Sequence, residues 1–476
     1  MTDRANKLPV PAPSDLPQLP FLGCGYLGAT YAVCFAELGC QVLGVDTDAT
    51  RIAKLAQGQL PFHEPELDSL LESNLHSGRL RFTTDYRSAA DFGDVHFVCV
   101  GTPQRPGTDD ADLSYVDAAV RELAHHPSKP ALIVGKSTVS VGTAARLARL
   151  VEETVPPGVR AEVAWSPEFL QEGRAVEDVL RPHRIVFGVD GEWAETMLRA
   201  AHARLLELAE VEGREVPVVV TDLPTAELTK VAANAFLATK VSFINAVAEV
   251  CEATGADIAH LTRGISLDPR IGGHFLKAGL GFGGGCLPKD IRAFRTRAEQ
   301  VGAGPALRFL GEVDEINERR RARVLELAVQ LLAGRDAAAR ATAGRPLMGA
   351  RICVWGSTFK PDSDDVRDSP ALDVVGRLLG AGAEVTVYDP RGMENARREV
   401  PQALYATSAD EAVTGADLLC VLTEWQEFCS ADPARVARLV AGCRVVDGRN
   451  CLDATRWLGA GWEYRGMGRL SAARPP

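Results

Sequence analysis

The chain has 476 residues, of which 46% are hydrophobic and 24% charged, and its formal net charge is −11 at pH 7. This length exceeds what one hydrophobic core organises, so two or three domains are expected. The negative charge argues against a broad nucleic-acid footprint, and no apolar stretch looks long enough to span a bilayer. The eleven cysteines include no C-x-x-C pair, which argues against a metal site and fits reduced thiols in the cytoplasm.

The amino-terminal part of the chain separates into a lead-in and a first domain. Residues 1–18 are rich in proline and lack the apolar core of a targeting peptide, so they are predicted to be disordered. From residue 19 to 215, short apolar strands alternate with helical stretches. Continuous apolar strands in β-then-α order predict a parallel sheet with helices on both faces.

The segment GCGYLG, from Gly23 to Gly28, matches G-x-G-x-x-G between an apolar segment and a helix. Glycines there allow a tight turn and let backbone N–H groups meet a pyrophosphate at the helix N-terminus. The next strand ends at Asp46, where a carboxylate binds the adenosine ribose hydroxyls and repels a 2′-phosphate. NAD is therefore predicted over NADP; a plain glycine turn beside a surface aspartate is the alternative interpretation.

Two prolines, Pro17 and Pro20, precede this turn. Proline removes a donor from the strand ladder and is normally confined to edges or strand ends. The first strand is therefore predicted to be short and to start near Phe21.

A long helix is predicted from about Asp222, because TDLPTAELTKVAANAFLATKVSFINAVAEVCEATG has helical periodicity, an early proline and a closing glycine. About thirty residues at 1.5 Å each reach roughly 45 Å, enough to join two domains. Lys230 and Asn234 are four residues apart and share one face. That face is predicted to look into a cleft, although a solvated face is the simpler alternative. Residues 216–332 are predicted to be a central helical domain used in dimerisation.

The segment GGGCLPKD displays Cys286 after three glycines, and Pro288 stands where a helix could begin. The positive end of a helix dipole lowers the pKa of a cysteine at that position and makes the thiolate available. Asp290 lies four residues further on and would share the cysteine's helical face. A buried structural thiol is the alternative, but three preceding glycines favour a presented nucleophile.

Residues 333–349 are rich in Ala, Arg and Gly and are predicted to be a linker. Residues 350–476 restart the strand–helix alternation as a smaller doubly wound domain, in which Asp389 ends a strand as Asp46 does in the first. The predicted fold class is α/β, with two doubly wound Rossmann-like domains joined by a long central helix and a helical middle domain.

Many of these segments together resemble the UDP-glucose/GDP-mannose dehydrogenase family, from residue 21 to about residue 457. They are GCGYLG, LPFHEPELDSLL, GTPQ with ADLSYV, KSTV, SPEFLQEGRAVEDVLRPHRIVFG, the long helix, PRIGGHFLKAGLGFGGGCLPKD, FKPDSDDVRDSPA, YDP, TEW and VDGRN. RPHRIVFG, CLPKD and VDGRN are closer to the UDP-glucose enzymes than to the other branches. Departures from the family pattern are KSTVSVG, which lacks the usual proline, and GGGC in place of GGSC.

The resemblance implies a four-electron oxidation of UDP-glucose with NAD, through a thiohemiacetal and a thioester on Cys286, in a homodimer or higher oligomer. It implies that Lys230 and Asn234 stabilise an oxyanion, and it leaves the base in each step open. The residues implied in the chemistry are Cys286, Lys230, Asn234, Asp290, Glu168 and Thr138. Those implied in cofactor binding are Gly23, Gly25, Tyr26, Leu27, Gly28, Asp46, Arg51, Thr102, Thr138, Glu172 and Arg367. Those implied in substrate binding are Glu168, Phe169, Leu170, Lys230, Asn234, Phe275, Lys277, Gly283, Lys360, Arg449 and, reaching the neighbouring subunit, Arg270.

Three alternatives accompany this interpretation. One is another nucleotide-sugar dehydrogenase of the same family, acting on GDP-mannose or a UDP-N-acetylhexosamine. Another is a two-electron β-hydroxyacid-type dehydrogenase, against which the thiol and the second domain both argue. The last is a nucleotide-sugar sensor without catalysis, which would require the loss of a reacting residue.

Overall fold

The computed structural model describes residues 17–333 and 344–469. The predicted lead-in therefore lies outside the described residues apart from its last two, as does most of the predicted linker. The chain divides into two compact units, Met1–Ala233 and Asn234–Pro476, and the division falls inside one long helix. The predicted domain boundaries remain predictions.

A sheet forms the centre of the N-terminal unit. Its strands are β1 (Gln18–Leu22), β2 (Gln41–Val45), β3 (Leu80–Thr83), β4 (Val95–Val98), β5 (Ala131–Gly135), β6 (Ala161–Trp165), β7 (Ile185–Gly188) and β8 (Val218–Thr221). They follow the order β3-β2-β1-β4-β5-β6-β7-β8. The first six have the 3-2-1-4-5-6 order of dinucleotide-binding folds.

The prediction of a parallel sheet is confirmed for β1 to β6 and wrong at the next contact. There β7 meets β6 in antiparallel pairing, at Trp165↔Gly188, while β7 and β8 are parallel to each other. The chain reverses through a loop and one short helix, and apolar composition does not record strand direction. Connecting helices in this unit are α1 (Tyr26–Glu37), α2 (Ala49–Ala56), α3 (Leu67–His76), α4 (Tyr86–Phe92), α5 (Ser114–His125), α6 (Thr143–Thr154), α7 (Ala175–Leu180), α8 (Glu192–Ala201) and α9 (Ala203–Val211).

The first strand is longer than predicted, because β1 runs from Gln18 and contains Pro20. The Gly23 N–H donates to the Val45 carbonyl, and the Cys99 N–H donates to the Leu22 carbonyl. The backbone N–H and C=O groups of odd-numbered residues in β1 therefore point toward β2, and those of even-numbered residues point toward β4. The missing N–H of Pro20 therefore points toward β4, where registered pairing starts only at Phe21↔Phe97. The proline lies where the ladder has not yet begun, which explains why the strand tolerates it.

The long helix α10 (Leu223–Thr254) confirms the prediction, with Pro224 in its first turn. By length and composition alone α10 could cross a membrane, so the expectation that no stretch is long enough is wrong by that measure. The same helix carries Ser242 and Asn245, which are buried and bonded to backbone groups of the C-terminal unit. Packing against protein accounts for its apolar composition.

The C-terminal unit contains a second, fully parallel sheet. Its strands are β9 (Arg351–Trp355), β10 (Glu384–Tyr388), β11 (Leu404–Tyr405), β12 (Leu418–Val421), β13 (Arg444–Asp447) and β14 (Glu463–Gly466), in the order β11-β10-β9-β12-β13-β14. The helices before it are α11 (Ile258–Ser266), α12 (Leu287–Gln300), α13 (Gly304–Leu307) and α14 (Phe309–Leu332). Those around it are α15 (Pro370–Gly380), α16 (Met393–Glu399), α17 (Ala409–Val413), α18 (Gln426–Cys429), α19 (Pro433–Ala437) and α20 (Ala454–Gly459). The predicted fold class, two Rossmann-like domains with a long helix and a helical middle, is confirmed.

The two sheets repeat one local turn. After β1 the turn has Gly23 at φ +90°, and Asp46 accepts the Cys24 N–H at 2.7 Å. After β9 it has Gly356 at φ +98°, and Asp389 accepts the Ser357 N–H at 2.7 Å. The predicted correspondence between Asp46 and Asp389 is thus a correspondence of hydrogen bonds as well as of sequence position.

Candidate active site

Two glycines of the turn in the N-terminal unit, Gly28 and Gly25, are required for different reasons. A side chain at Gly28 would put its Cβ 1.8 Å from the Gly23 carbonyl oxygen, so only hydrogen fits there. A Cβ at Gly25 would meet no atom within 4 Å. Gly25 is the N-cap of α1 and offers no side-chain cap to the first helical N–H groups. The open space and uncapped donors fit a pyrophosphate.

Asp46 is buried at the end of β2, where its carboxylate accepts the Cys24 N–H and the Asp48 N–H. Arg51 pairs with it at 2.8 Å and keeps about a third of its side chain exposed. The acid therefore stands at the ribose position of a dinucleotide fold.

Glu64 is a buried residue whose role the sequence did not reveal. Tyr26, at the start of α1, donates its hydroxyl to Glu64. The same carboxylate accepts the N–H groups of Gly173 and Ala175, each at 2.7 Å. Glu64 thus ties the glycine turn to the segment that contains Glu172. The signal available was its place in the motif LPFHEPELDSLL, although nothing in that motif names its partners.

Two predicted cofactor residues, Thr102 and Thr138, meet at the carboxyl end of the sheet. The Thr102 hydroxyl donates to the Thr138 carbonyl at 2.8 Å, and Thr102 is buried. The neighbouring Ser137 hydroxyl donates to the Val100 carbonyl at 2.6 Å. The loops after β4 and β5 are therefore fixed to each other.

Glu168 and Lys230 form a buried ion pair, with 2.9 Å between Oε1 and Nζ. The other oxygen of Glu168 accepts the Leu170 N–H at 2.5 Å. Phe169 lies between Glu168 and Leu170 in sequence. Its ring is 5.5 Å from the Lys230 ammonium and 3.7 Å from the Arg184 guanidinium. A buried acid, an ammonium and an aromatic ring are thus held together on the N-terminal unit.

Lys136 contacts the segment that leads to Glu168. No role was assigned to it from the sequence, although it begins the KSTV motif. Its ammonium is buried and donates to the Ser166 carbonyl at 2.9 Å, two residues before Glu168. It also lies 4.5 Å from the Tyr31 ring. In the part of the chain that the structure describes, Lys136 forms no ion pair. Burial lowers the pKa of Lys136 from 10.5 to about 8.

In the C-terminal unit, α12 begins at Leu287 with Cys286 as its N-cap and Pro288 inside its first turn, as predicted. Cys286 is exposed, unlike most other cysteines of the described chain. One helical turn later, the Asp290 N–H donates to the Cys286 carbonyl at 3.0 Å. The thiol is therefore presented at a helix N-terminus beside an acid that shares its turn.

Asp290 is 2% exposed and has two side-chain partners. The Asn234 amide donates to one carboxylate oxygen and the Lys289 ammonium to the other, both at 2.6 Å. Asn234 lies one turn after Lys230 on α10, so both predicted polar groups of that helix take part in buried networks. The amide, the acid and the lysine form a connected polar group around the turn that carries Cys286.

The glycine loop before Cys286 is fixed by side chains from distant parts of the chain. Asn317 accepts the Phe282 N–H at 2.8 Å and donates to the Phe282 carbonyl at 2.9 Å. Asn245 accepts the Gly279 N–H at 2.8 Å. A Cβ at Gly283 would lie 2.3 Å from the Asp368 carbonyl oxygen, which explains the glycine.

The remaining predicted substrate residues differ in how far they are buried. Arg449 is largely buried and donates to the carbonyls of Leu422, Gly281 and Phe359, each at 2.8 Å. Arg270, by contrast, is 88% exposed in its side chain and pairs with Asp268. Phe275 and Lys277 are exposed, and Phe275 has φ +58°. The Lys360 ammonium lies 5.3 Å from the Phe359 ring. The predicted cofactor residue Arg367 is exposed and paired with Asp365.

A glycine turn followed by an acid, on a sheet of 3-2-1-4-5-6 order, defines a dinucleotide-dependent dehydrogenase, and the presented cysteine adds a nucleophile. Three family models match the chain: the NAD binding domain over residues 18–206, the central domain over 224–319 and the UDP binding domain over 353–454. The chain belongs to the UDP-glucose/GDP-mannose dehydrogenase family.

Individual relatives cover nearly the whole chain. It is 42% identical over 452 residues to a UDP-glucose 6-dehydrogenase of Rhizobium meliloti, a match that covers 95% of this chain and 99% of that one. A solved UDP-glucose dehydrogenase from Pyrobaculum islandicum has 36% identity and a TM-score of 0.84, covering 97% of this chain and all of that one. A solved UDP-D-ManNAc dehydrogenase from Pyrococcus horikoshii has 28% identity and a TM-score of 0.79, covering 95% and 99%.

Proposed function

We propose that this chain is an NAD-dependent UDP-glucose 6-dehydrogenase, which oxidises the primary alcohol of the sugar to a carboxylate. The observation that carries the proposal is Cys286, an exposed thiol at the N-cap of α12, next to the buried pair of Asp290 and Asn234. The relatives from Rhizobium meliloti and Pyrobaculum islandicum support UDP-glucose as the substrate. The matching UDP binding domain supports the nucleotide part of that choice.

The cofactor residues fit NAD. Gly25 leaves room for the pyrophosphate beside uncapped N–H groups, and Asp46 offers a carboxylate for the ribose hydroxyls. When bound, NAD supplies the acceptor for the two electrons removed in each oxidation step. Thr102, Thr138 and Glu172 would hold the nicotinamide half, and the resemblance also assigns Arg367 to cofactor binding.

Cys286 explains how an alcohol loses four electrons at one site. Its thiolate adds to the intermediate aldehyde and forms a thiohemiacetal, a tetrahedral carbinol that can be oxidised again. The second oxidation gives a thioester, and water releases the carboxylate. Because the sugar stays bound to sulfur, the aldehyde does not escape.

The polar residues around these steps manage charge and protons. The Lys230 ammonium and the Asn234 amide are donors suited to the oxyanion of the tetrahedral intermediate. Glu168, in its ion pair with Lys230, and Asp290, in its bond with Asn234, are the acids able to take a proton directly or through water. The residues that the resemblance assigns to substrate binding are Glu168, Phe169 and Leu170 of the N-terminal unit and Lys277, Gly283, Lys360 and Arg449 of the C-terminal unit.

The chain is further proposed to act in the cytoplasm as a homodimer. The described cysteines are all free thiols, as a reducing compartment would leave them. Phe236, Phe243 and Val250 form an exposed apolar row on α10, which would be covered by the same helix of a second copy. Arg270, largely exposed, would then reach the neighbouring subunit.

Cys286→Ser tests the thioester directly. The variant is expected to bind NAD and UDP-glucose as the unaltered chain does, while glucuronate release falls by about 1,000-fold or more, because the serine hydroxyl is not ionised at neutral pH. The measurements are calorimetric binding, and NADH formed per sugar by absorbance. Normal turnover by this variant would exclude the covalent scheme.

The unaltered chain should form two NADH per UDP-glucose consumed, whereas one NADH would indicate a two-electron dehydrogenase. A panel of UDP-glucose, UDP-galactose, GDP-mannose and UDP-N-acetylhexosamines, each with NAD and NADP, decides the substrate. A higher kcat/KM for an N-acetylated sugar than for UDP-glucose would contradict the proposed substrate.

A further inference from the structure

Glu64 bonds to two parts of the N-terminal unit that are far apart in sequence. It is 1% exposed and lies between α2 and α3. One of its carboxylate oxygens accepts the Tyr26 hydroxyl and the Gly173 N–H, and the other accepts the Ala175 N–H. Tyr26 is the first residue of α1, at the glycine turn, whereas Ala175 is the first residue of α7. A single buried carboxylate therefore joins the starts of two helices.

On the side of α1, the surroundings of Tyr26 fix it as a donor. Burial, followed by the hydrogen bond to Glu64, raises the pKa of Tyr26 far above its usual range, so the phenol keeps its proton. The Tyr26 ring also lies 4.8 Å from the ring of Phe62, which stands two residues before Glu64. The position of Glu64 is thus tied to the residue that follows Gly25, where the pyrophosphate would bind.

On the side of α7, Glu64 replaces a missing cap. Arg174 is the N-cap of this helix and provides no side-chain hydrogen bond, while Glu64 accepts the Ala175 N–H at 2.7 Å. The first N–H groups of a helix have no internal acceptor, and a carboxylate is favourable there. Within α7, Asp178 accepts the N–H of Gln171 from the preceding loop at 2.8 Å. Glu64 therefore holds α7, and α7 holds the loop.

The loop held in this way carries residues of the proposed active site. Glu168 lies in it and forms the buried ion pair with Lys230, at 2.9 Å. Glu172, which the resemblance assigns to the nicotinamide half of the cofactor, directly precedes Gly173, whose N–H donates to Glu64 at 2.7 Å. A chain of hydrogen bonds and short segments thus runs from the glycine turn, through Glu64, to the loop expected to contact the sugar.

We propose that Glu64 is a positioning residue that couples cofactor binding at the glycine turn to sugar binding at the loop of Glu168. This inference rests on the proposed function. A cofactor bound at the N-terminus of α1 restrains Tyr26 and, through its hydroxyl, also Glu64 and the loop. UDP-glucose then binds to a loop that is already ordered, so its dissociation constant is lower when the cofactor is present. The coupling is reciprocal, since UDP-glucose must strengthen cofactor binding by the same factor.

Calorimetric titration with UDP-glucose measures the coupling, first with the chain alone and then with the chain saturated with NADH. NADH fits the glycine turn as NAD does but cannot accept electrons from the alcohol, so no turnover accompanies the titration. The dissociation constant for UDP-glucose should be about tenfold lower with NADH than without it. Equal constants in the two titrations would refute the coupling. Absence of binding in both would instead count against UDP-glucose as the substrate, and so against the proposed function itself.

Tyr26→Phe breaks the chain of contacts at one atom. It removes the hydroxyl, while the ring can still contact Phe62 and Glu64 can still accept the two N–H groups near α7. The ratio of the two dissociation constants should fall from about tenfold to about twofold or less, with little change in the titration without NADH. Tyr115→Phe, at an exposed tyrosine of α5, is the matched control and should keep the ratio of the unaltered chain. An unchanged ratio in Tyr26→Phe would overturn the proposed role of Glu64.

Glu64→Ala tests the carboxylate itself and distinguishes its role from a direct effect of Tyr26 on the cofactor. The variant should also lose the coupling, with a ratio of about twofold or less. Scanning fluorimetry shows whether it is folded at the temperature of the titration, because it leaves buried N–H groups without an acceptor. If it is not folded, Tyr26→Phe alone decides. A ratio that is kept in Glu64→Ala but lost in Tyr26→Phe would show that Tyr26 acts on the cofactor directly, and the proposal would be wrong.

Discussion

Lys136 shows how a single buried charge is visible in the pH dependence of stability. Its pKa is about 8 in the folded protein and near its ordinary 10.5 when unfolded. Between these values the unfolded chain binds more protons, so the contribution of Lys136 to stability increases as the pH rises. Below about pH 8 both states are protonated, and the cost of burying the charge is constant.

Lys136→Met removes this dependence. From about pH 8 to about pH 9.5 the free energy of unfolding should shift by about 2 kcal/mol in favour of the unaltered chain relative to the variant. Urea unfolding of both proteins across this range measures the difference, and groups common to both cancel. A difference that stays constant with pH would show that the pKa of Lys136 is not lowered.

Lys230→Ala is expected to lower kcat by about 100-fold, because a donor to the oxyanion and the partner of Glu168 are lost together. NAD binding should change little, since the hydrogen bonds described above for the glycine turn are made by Asp46, Tyr26 and Glu64. Stopped-flow measurement of NADH formation gives kcat, and cofactor titration gives affinity. Lys240→Ala, on the same helix but bonded to the Ile271 carbonyl, is the matched control. An unchanged kcat in Lys230→Ala would remove this lysine from the chemistry.

The sequence predicts the site residues whose type and immediate neighbours indicate a chemical role. Cys286 was marked by three glycines and a proline, and Lys230 and Asn234 by their spacing on a helix. Glu64 and Lys136 were missed, because the groups that they contact, mostly backbone groups, lie far along the chain and no local pattern records such contacts. Arg449 was assigned to the substrate by resemblance, and the structure adds its three bonds to loop carbonyls.

At the scale of elements, substitutions at two glycines of the glycine turn test the stability of the fold and the binding of NAD separately. Gly28→Ala should lower the thermal midpoint of unfolding, because its Cβ would collide with the Gly23 carbonyl oxygen 1.8 Å away. Gly25→Ala should leave that midpoint within about 2 °C, since its Cβ meets no protein atom, yet weaken NAD binding about tenfold or more by occupying the pyrophosphate space.

Differential scanning fluorimetry and NAD titration distinguish these two outcomes. Gly264→Ala, where a Cβ also meets nothing within 4 Å but which lies on α11 in the C-terminal unit, is the control for a harmless glycine substitution. Unchanged NAD affinity in Gly25→Ala would mean that the pyrophosphate does not approach this turn.

Strands and helices were predictable to different degrees. The long helix was evident from its periodicity, its proline and its glycine. The extent of β1 was not, because Pro20 is tolerated only through the position at which β4 begins to pair. Likewise, the direction of β7 depends on how the chain returns to the sheet, and a run of apolar residues is the same in either direction.

At the scale of the whole molecule, α10 leaves an apolar row uncovered. Phe236, Phe243 and Val250 are spaced seven residues apart and are 66%, 56% and 59% exposed. A seven-residue repeat keeps them on one face, as in helices that pack against a partner helix. Exposed apolar residues arranged in this way mark an interface more often than an ordinary surface.

Phe243→Asp is therefore expected to convert the proposed dimer to a monomer, since the dimer would bury two carboxylates near its symmetry axis. Size-exclusion chromatography with light scattering should show the mass fall by about half. Leu404→Asp, a comparably exposed apolar residue on the edge of the second sheet, should leave the mass unchanged. A monomeric unaltered chain would exclude the proposed dimer.

The repeated turns of the two sheets differ in whether their aspartate can still accept a hydrogen bond from a ribose. One oxygen of Asp389 accepts the N–H groups of Ser357 and Thr358, the Thr358 hydroxyl and the Trp425 indole N–H. The other oxygen accepts the N–H groups of Arg391 and Gly392, so the carboxylate has no lone pair left for a ribose hydroxyl. At Asp46 the corresponding place is taken by Arg51, a surface side chain able to swing away. Of these two turns, the one that contains Asp46 can therefore bind an adenine dinucleotide. Under the proposed function, this turn would therefore hold the two NAD molecules consumed per sugar one after the other, with the sugar attached to Cys286 between the two oxidations.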